Sequence, residues 1–452
     1  MMFNSILKFS QNKFSFLYDN SLFLQNIDRF ILPFILLTFV SSMFMSSDFI
    51  GFIGLIVIFF TIIKILLCPN QKLEFKTYEI FLLLYFMIIV VSLFGSTLFS
   101  LSLKGFFKTF VYLGFYVSVA QYLKDNKKHI PLILGTIAGC IVFEAIIGIF
   151  QSTLHLEQIS TWQDTSRLNP EDVLSRVYGT LKPLNPNLYG GYLVCGLPVV
   201  LGTIFYSIIQ KSKNMLVLSL AASFCVCYSI LQTGCRGAYL SMLLVFGLVF
   251  IISAKFFWSS YKKFYISIIS SATLLFISAL MFVNSLRLRF LSIFAMRSDS
   301  SNSFRFNVYH SSIEMFKDNW LLGIGVGNKN FREIYGLYMK TGFDALSAYN
   351  IYLETAVESG IFALITFLAF ILKIFYDAVK YIFNSKEPTN VIFVSSCTIA
   401  IASALFHGLV DTIYFRPQLQ FIFWTFVAII GSISDKESSS KNHPYPNPSL
   451  DS

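Results

Sequence analysis

Apolar runs of about 20 residues recur along almost the whole chain, and this pattern limits the protein to one class of fold. A run of that length crosses the hydrocarbon core of a bilayer as an α-helix, because a helix satisfies its backbone polar groups internally. Hydrophobic residues make up 55% of the 452 residues and charged residues 13%, with a mean hydropathy of +0.67. This composition excludes a soluble globule. The chain is predicted to be all-α, a polytopic integral membrane helical bundle.

About twelve segments are predicted to cross the membrane. The weakest is Leu103–Leu123, because Lys104 and Lys108 interrupt its apolar pattern. The twelve predicted segments are Ile27–Met45, Phe49–Leu67, Tyr78–Phe94, Leu103–Leu123, Pro131–Gln151, Asn187–Ile209, Leu216–Gln232, Ala238–Ala254, Phe264–Val283, Ile351–Leu372, Val391–Asp411 and Gln418–Ile433.

Lysines concentrate in alternate loops, which predicts the orientation of the bundle. The short loops on the opposite side contain only Arg236 and Arg416 as basic residues. By the positive-inside rule the lysine-rich side is cytoplasmic. We therefore predict a multi-pass inner-membrane protein with both termini in the cytoplasm and with two long outward loops, Ser152–Pro186 and Asn284–Asn350. The lysines in question are Lys72, Lys76, Lys124, Lys127, Lys128, Lys211, Lys213, Lys255, Lys262, Lys263, Lys373, Lys380 and Lys386.

The chain divides into a transmembrane domain and two short ends. Residues 1–26 are predicted to form a cytoplasmic interfacial lead-in, residues 27–434 the transmembrane domain, and residues 435–452 a disordered cytoplasmic tail.

The net charge of +10 is interpreted by position along the membrane and does not indicate a nucleic-acid partner. The seven cysteines are scattered, and the five histidines never stand at metal-ligand spacing. Neither a cofactor nor a metal is predicted.

The loop 284–350 carries eight basic residues against five acidic ones. A loop far longer than a connection requires is often functional, and an excess of arginine suggests an anionic ligand. The spacing over Phe304–Trp320 predicts a helix lying along the outer membrane surface. Arg305, near its start, could hold an anion together with free backbone N–H groups. The alternative is an ordinary surface arginine.

Arg236 lies in the turn Thr233–Gly237 between two predicted spans. Flanking glycines allow a sharp turn, and the guanidinium could bind phosphate or carboxylate through two hydrogen bonds. The alternative is an arginine extended towards lipid headgroups. We favour an anion site, because the positive-inside rule disfavours a basic residue here.

Several other polar residues are candidates for chemistry. Tyr349, Glu354 and Glu358 form a patch at the outer start of a predicted span, and the glutamates share one helix face. They could act as general bases or bind a cation, although acids also favour helix N-termini for dipole reasons alone. Glu144 and His407 are ionisable groups at membrane depth, which usually face a cavity or a partner. For Glu144 the simpler alternative is a protonated carboxyl bonded to a neighbouring helix.

Two further motifs are interpreted as structural. The stretch Gly323–Asn328 superficially resembles a nucleotide-binding loop, but the third glycine of that motif is absent and no strand precedes it. Asn185 and Pro186 suit a helix cap and a first helical turn. Asp411 and Arg416 are predicted to pair with each other across a short turn.

Four stretches in the latter two-thirds of the chain form a pattern of their own: Asn185–Asn187, Arg236-Gly237, Leu322–Asn328 and Tyr349–Gly360. With the hydropathy profile, they resemble the O-antigen ligase and polymerase superfamily of polytopic envelope proteins. The resemblance implies transfer of a glycan from an undecaprenyl-pyrophosphate carrier, with outward arginines and a histidine at the site. Arg236 and Arg305 match the arginine positions, whereas Tyr349 stands in place of the histidine. A tyrosine with its ordinary pKa near 10 is a poor general base at neutral pH.

A second likeness points to a different function. The stretches Asp299–Asn307, Gly325–Phe331, Ile334–Met339 and Ala345–Tyr349 resemble a cyanobacterial branch of that superfamily, the inorganic carbon (bicarbonate) transporter family. The branch likeness implies bicarbonate uptake, with the anion bound by outward arginines. Glycan transfer from a polyprenyl-pyrophosphate donor is the alternative, and a non-catalytic membrane partner of a carbon-uptake complex is a third hypothesis. Membrane lipid is a partner in every case.

Overall fold

The computed structural model describes residues 2–154 (without 70 and 74), 176–282, 284, 287, 291 and 300–434. The predicted tail 435–452 and most of the loop 152–186 lie outside the described residues. Within them the chain is helical and contains no β-strand. The helices are α1 (Met2–Lys13), α2 (Ser15–Asp19), α3 (Leu22–Gln25), α4 (Ile27–Phe44), α5 (Ser47–Leu67), α6 (Thr77–Gly95), α7 (Phe99–Asp125), α8 (Ile130–Thr153), α9 (Pro186–Ile209), α10 (Lys213–Gln232), α11 (Arg236–Phe282), α12 (Ser300–Asp318), α13 (Asn328–Tyr335), α14 (Ile351–Asn384), α15 (Pro388–His407) and α16 (Pro417–Ser434).

Ten of the described helices are long and apolar enough to cross a membrane, which confirms a polytopic all-α protein. They correspond to ten of the twelve predicted spans. The predicted span Leu103–Leu123 is helical, as part of α7, but it is not among the ten. The predicted span Phe264–Val283 is the second half of α11, beyond a kink at Tyr261, up to the last described residue of that helix.

Helix α16 lies at the centre of the bundle. Nearly all of its residues are buried, and it packs against α7 and α15. Helices α9 and α15 pack closely against each other and are also mostly buried, whereas α5, α6, α10 and the first half of α11 expose a large apolar share of their surfaces. An exposed apolar surface of this extent is what a bilayer covers.

Helix α14 is interrupted at Gly360, where the backbone has φ +81° and ψ 177°. The carbonyls of Val357 and Glu358 instead accept hydrogen bonds from the N–H groups of Ile324 (2.9 Å) and Gly325 (2.8 Å). A side chain at position 360 would place its Cβ 2.1 Å from the carbonyl oxygen of Leu321, so glycine is required there for space as well as for conformation. The predicted glycine-rich turn is thus a structural loop that completes a broken helix.

Candidate functional site

A cavity of about 790 Å³ opens beside the break in α14, and we call it the polar cavity. Its walls come from the first half of α7, the loop at Val326–Lys329, the start of α14 and the segment Asp411–Pro417. Aromatic side chains, among them Tyr85, Phe107, Tyr112, Tyr349, Tyr414, Phe415 and Trp424, form much of the surface. The cavity therefore combines an aromatic wall with charged groups of both signs.

Two predicted candidates, Glu354 and Glu358, line the polar cavity one helical turn apart. Both are buried, with 3% and 5% of their surfaces exposed. Glu354 Oε2 accepts a hydrogen bond from the Ala348 N–H, and Glu358 Oε1 accepts one from the Gly327 N–H, each at 2.9 Å. The other oxygen of each carboxyl accepts no hydrogen bond from the described residues. One side of each carboxyl is thus fixed by the backbone and the other is available to a ligand.

Four basic side chains line the same cavity: Lys104, Lys108, Lys329 and Arg416. Within the described part of the chain none of these side chains forms a hydrogen bond or an ion pair. In the sequence, Lys104 and Lys108 interrupt the apolar pattern of a weak span, and neither was predicted to bind an anion. Their spacing of one turn within an otherwise apolar helix was the signal that could have identified them. An unpaired cluster of this kind is suited to a multiply charged anion.

Backbone contacts hold the lysine-bearing part of α7 against the glycine-rich loop. Gly105 approaches so closely that a Cβ there would lie 2.3 Å from the carbonyl oxygen of Val326. The buried amide of Asn330 donates hydrogen bonds to the carbonyls of Ile324 (2.9 Å) and Gly325 (2.8 Å) and to Ser102 Oγ (2.9 Å). These contacts fix the distance between the lysines of α7 and the carboxyls of α14.

Arg305 does not line the polar cavity, although its neighbours do. Its Nη1 donates to Ser301 Oγ at 2.9 Å, and its Nη2 lies 4.0 Å from Asp411 Oδ2. The guanidinium also stands 5.9 Å from the ring centre of Tyr349. Asp411 therefore contacts Arg305 and also Asn187, whose amide donates to Asp411 Oδ2 at 3.2 Å. The predicted pair of Asp411 with Arg416 is not formed in the described chain: both residues line the cavity, but Asp411 contacts Arg305 and Asn187 instead.

Tyr349 lies on the cavity wall, beside the ion pair of Arg305 and Asp411. Burial and then the nearby Asp411 carboxylate raise its pKa to about 12, against the smaller opposing effect of Arg305. The phenol is therefore protonated at neutral pH and can donate a proton in a hydrogen bond but cannot act as a general base. Glu354 and Glu358 are the stronger candidates for that role.

His407 contacts the residue that precedes Arg236 in the chain, and neither His407 nor Arg236 lines the polar cavity. His407 is buried, and its Nε2 lies 3.6 Å from the sulfur of Cys235, the residue before the half-buried Arg236. Burial alone would raise the pKa of the Cys235 thiol, but the hydrogen bond with His407 and the charges of His407 and Arg176 lower it below its ordinary value. His407 thus has a partner, as expected for an ionisable group at this depth.

Glu144 is fully buried and lies away from the polar cavity. Its Oε2 accepts a hydrogen bond from the Thr180 N–H at 3.0 Å, and its Oε1 accepts one from the Thr180 hydroxyl. Both oxygens are therefore occupied by the segment that precedes α9. The start of α9 is also capped as predicted, since Asn185 Oδ1 accepts hydrogen bonds from the N–H groups of Asn187 (2.7 Å) and Leu188 (3.4 Å).

Comparison with known families identifies one similarity. Residues 192–368 match a protein family described as O-Antigen ligase. The match covers less than half of the chain, runs from α9 to the second part of α14, and includes Arg236, Arg305, Glu354 and Glu358. It supports an O-antigen ligase-like protein and leaves the likeness to bicarbonate transporters without support. No curated protein matches the chain.

Proposed function

We propose that this chain is a membrane glycosyltransferase of the O-antigen ligase type and binds a polyprenyl-pyrophosphate-linked glycan in the polar cavity. The main support is that unpaired lysines and two buried carboxyls line one cavity of about 790 Å³. A pyrophosphate needs several cationic donors, and a glycan needs far more room than a small anion. The similarity of residues 192–368 to the O-antigen ligase family supports the same reaction class.

In the proposed reaction, Lys104, Lys108, Lys329 and Arg416 bind the pyrophosphate of the donor. A hydroxyl of the acceptor attacks the anomeric carbon of the glycan, and the bond from that carbon to the pyrophosphate oxygen breaks. Glu354 or Glu358 takes the hydroxyl proton through its unoccupied oxygen. The basic side chains stabilise the charge that accumulates on the departing polyprenyl pyrophosphate. The aromatic wall gives the sugar rings a surface for stacking.

Neither Arg305 nor Arg236 lines the polar cavity, so this proposal does not assign them to pyrophosphate binding. Arg305 lies 4.0 Å from Asp411 Oδ2 and 5.9 Å from the ring centre of Tyr349, and in this proposal it positions these two residues at the cavity edge. The cavity is proposed to face the extracytoplasmic side, with both termini cytoplasmic, because it lies at the end of α7 opposite the lysine-rich loops.

Reconstitution of the purified protein with a polyprenyl-pyrophosphate-linked glycan and an acceptor lipid tests the proposal. We expect wild-type protein to transfer the glycan, and at least one of Glu354→Gln and Glu358→Gln to lower turnover about 100-fold or more, as loss of a general base does. The glutamine can still accept the Gly327 hydrogen bond, so the fold is retained. Glu333→Gln, an exposed carboxyl outside the cavity lining, is the matched control and should transfer at the wild-type rate. No transfer by wild-type protein with several donors, or full transfer by both Glu354→Gln and Glu358→Gln, would contradict the proposal.

Transport of a small anion such as bicarbonate is the second candidate. The observation that favours it is the interruption of α14 at Gly360 beside a charged cavity, since broken helices form the ion sites of many transporters. Uptake of labelled bicarbonate into proteoliposomes driven by an ion gradient distinguishes the two functions. Flux above that of empty vesicles, together with no glycan transfer, would favour transport.

A further inference from the structure

Residues 176–185, which precede α9, have no regular secondary structure but lie against the helical bundle. We call them the docked segment. The Val177 N–H donates a hydrogen bond to the carbonyl of Gln232 at 3.2 Å, and the Lys182 carbonyl accepts one from Gln418 Nε2 at 2.7 Å. Gln232 ends α10, and Gln418 lies in the first turn of α16. The docked segment is therefore attached to helices that follow it in the chain by 50 residues and more.

Polar side chains of α8 satisfy the backbone in the middle of the docked segment. Gln151 Oε1 accepts hydrogen bonds from the N–H groups of Tyr178 (3.2 Å) and Gly179 (3.0 Å), and Gln151 Nε2 donates to the Gly179 carbonyl at 3.0 Å. Nearer the middle of α8, Glu144 Oε2 accepts the Thr180 N–H at 3.0 Å. Two turns of α8, about 10 Å of helix, thus hold three consecutive residues. Irregular backbone is tolerated inside a membrane protein where protein groups satisfy it in this way.

Glu144 and Thr180 make the closest part of this attachment. The Thr180 hydroxyl hydrogen-bonds with Glu144 Oε1, and Thr180 Oγ1 also lies 2.9 Å from the carbonyl oxygen of Met43, near the end of α4. Gly179 has φ +63°, and a Cβ there would lie 2.5 Å from Glu144 Oε2. Glycine is therefore required at this position for conformation and for space. Because Glu144 is fully buried and both of its oxygens are used, its contacts serve to hold the docked segment.

The last residues of the docked segment form part of the polar cavity. Pro183 and Asn185 line that cavity, and they are followed by Asn187 and Leu188 from the start of α9. All four side chains are uncharged. Within the described chain, the charged residues of the lining come from α5, α7, α13, α14 and the segment Asp411–Pro417. One wall of the cavity is thus neutral, which suits the hydroxyl groups of a sugar and does not suit a pyrophosphate.

We propose that the docked segment forms a wall of the polar cavity that binds the glycan, and that Glu144 is the positioning residue that holds this wall through Thr180. The inference rests on the glycan transfer proposed above and adds the part of the cavity that contacts the sugar. Glu144 itself does not line the cavity, so it acts only through the segment. A wall that is fixed before the donor arrives does not have to be ordered during binding, which favours affinity.

Binding of two carriers to the purified full-length protein tests this role, one a polyprenyl pyrophosphate that bears a glycan and the other a bare polyprenyl pyrophosphate. Thr180→Val keeps the shape of the side chain and removes its hydroxyl. We expect it to weaken binding of the glycan-bearing carrier about tenfold, the equivalent of about 1.4 kcal/mol, because the wall must then be ordered during binding. Binding of the bare carrier should be unchanged, since the basic side chains proposed to hold its pyrophosphate lie on other walls.

Thr136→Val is the matched control, because the Thr136 hydroxyl donates to the carbonyl of Leu132 within α8 itself, at 2.9 Å. This variant should bind both carriers as tightly as wild-type protein. Glu144→Ala and Glu144→Gln form a second pair. Glutamine can still accept the Thr180 N–H and hydrogen-bond with the hydroxyl, so Glu144→Gln should recover most of the affinity for the glycan-bearing carrier that Glu144→Ala loses.

The results separate this inference from the proposed function. If wild-type protein transfers the glycan, but Thr180→Val and Glu144→Ala bind the glycan-bearing carrier normally, the inference is overturned and the proposed function stands. An equal loss of affinity for both carriers would also overturn the inference, because the segment would then have no specific relation to the glycan. Failure of wild-type protein to bind either carrier would overturn the proposed function, and this inference with it.

Discussion

Lys64 and Lys104 are both lysines within long helices, but they differ in burial and in pairing. Lys64 is buried beside two carboxylates, whereas Lys104 is exposed and lines a cavity. Lys64 of α5 is 4% exposed and forms ion pairs with Asp28 at 2.9 Å and with Asp125 at 3.0 Å. This cluster, which we call the inner triad, connects α4, α5 and the end of α7. Lys104 of α7 lines the polar cavity and has no acidic partner within the described chain.

This difference in ion pairing separates a lysine with a structural role from a lysine that can bind a ligand. A buried lysine must be compensated, and in the inner triad the protein itself provides both carboxylates. Around the polar cavity, by contrast, Lys104 and Lys108 are exposed and need no internal carboxylate, while Glu354 and Glu358 accept hydrogen bonds from backbone N–H groups. Three predictions test this contrast.

The largest effect is expected at the inner triad. Lys64→Met leaves Asp28 and Asp125 together without their cation, and we expect a loss of about 3 kcal/mol in the free energy of unfolding. The value is at the low end of the range for breaking a buried pair, because the two carboxylates are 33% and 45% exposed. Thermal unfolding of the purified protein in detergent measures the loss. Lys104→Met is the control. An equal loss of stability in both variants would show that the ion pairs of Lys64 contribute nothing specific to stability.

A smaller effect is expected for ligand binding at the polar cavity. Lys104→Gln removes one charge-assisted contact to a pyrophosphate and should weaken binding about tenfold, the equivalent of about 1.4 kcal/mol. Titration of purified protein with inorganic pyrophosphate measures this change. Lys340→Gln, an exposed lysine on the same predicted side but outside the cavity lining, should bind as tightly as wild-type protein. If both variants bind alike, the unpaired lysines do not form an anion site.

The smallest effect is expected at Tyr349. Because its pKa is about 12, the phenol is protonated in both the folded and the unfolded chain below pH 10. Tyr349→Phe should therefore leave the pH dependence of turnover unchanged between pH 6 and 9. From pH 10 to 12 the unfolded chain releases this proton first, so the native protein loses stability, and the variant should lose less. A shifted pH profile between pH 6 and 9 would instead place Tyr349 in the proton transfer.

Individual candidate residues could be predicted from the sequence, whereas their interaction partners could not. Glu354 and Glu358 were identified from their spacing on one helix face, and the structure places both on one cavity. Glu144 was recognised as a buried acid, but its partner Thr180 lies 36 positions further along the chain. Arg305 was identified as an anion ligand in the loop, whereas in the structure it lies 4.0 Å from Asp411.

The sequence by itself determined that this is a multi-span helical protein, because apolar length and composition are local properties that each segment carries on its own. It also located the lysine-rich loops and the resemblance to O-antigen ligases. Only the tertiary structure decided which charges are compensated, since Lys64 meets carboxylates of two other helices and Lys104 meets none in the described chain. Such pairing depends on contacts between residues far apart in sequence, and for that reason no local pattern reveals it.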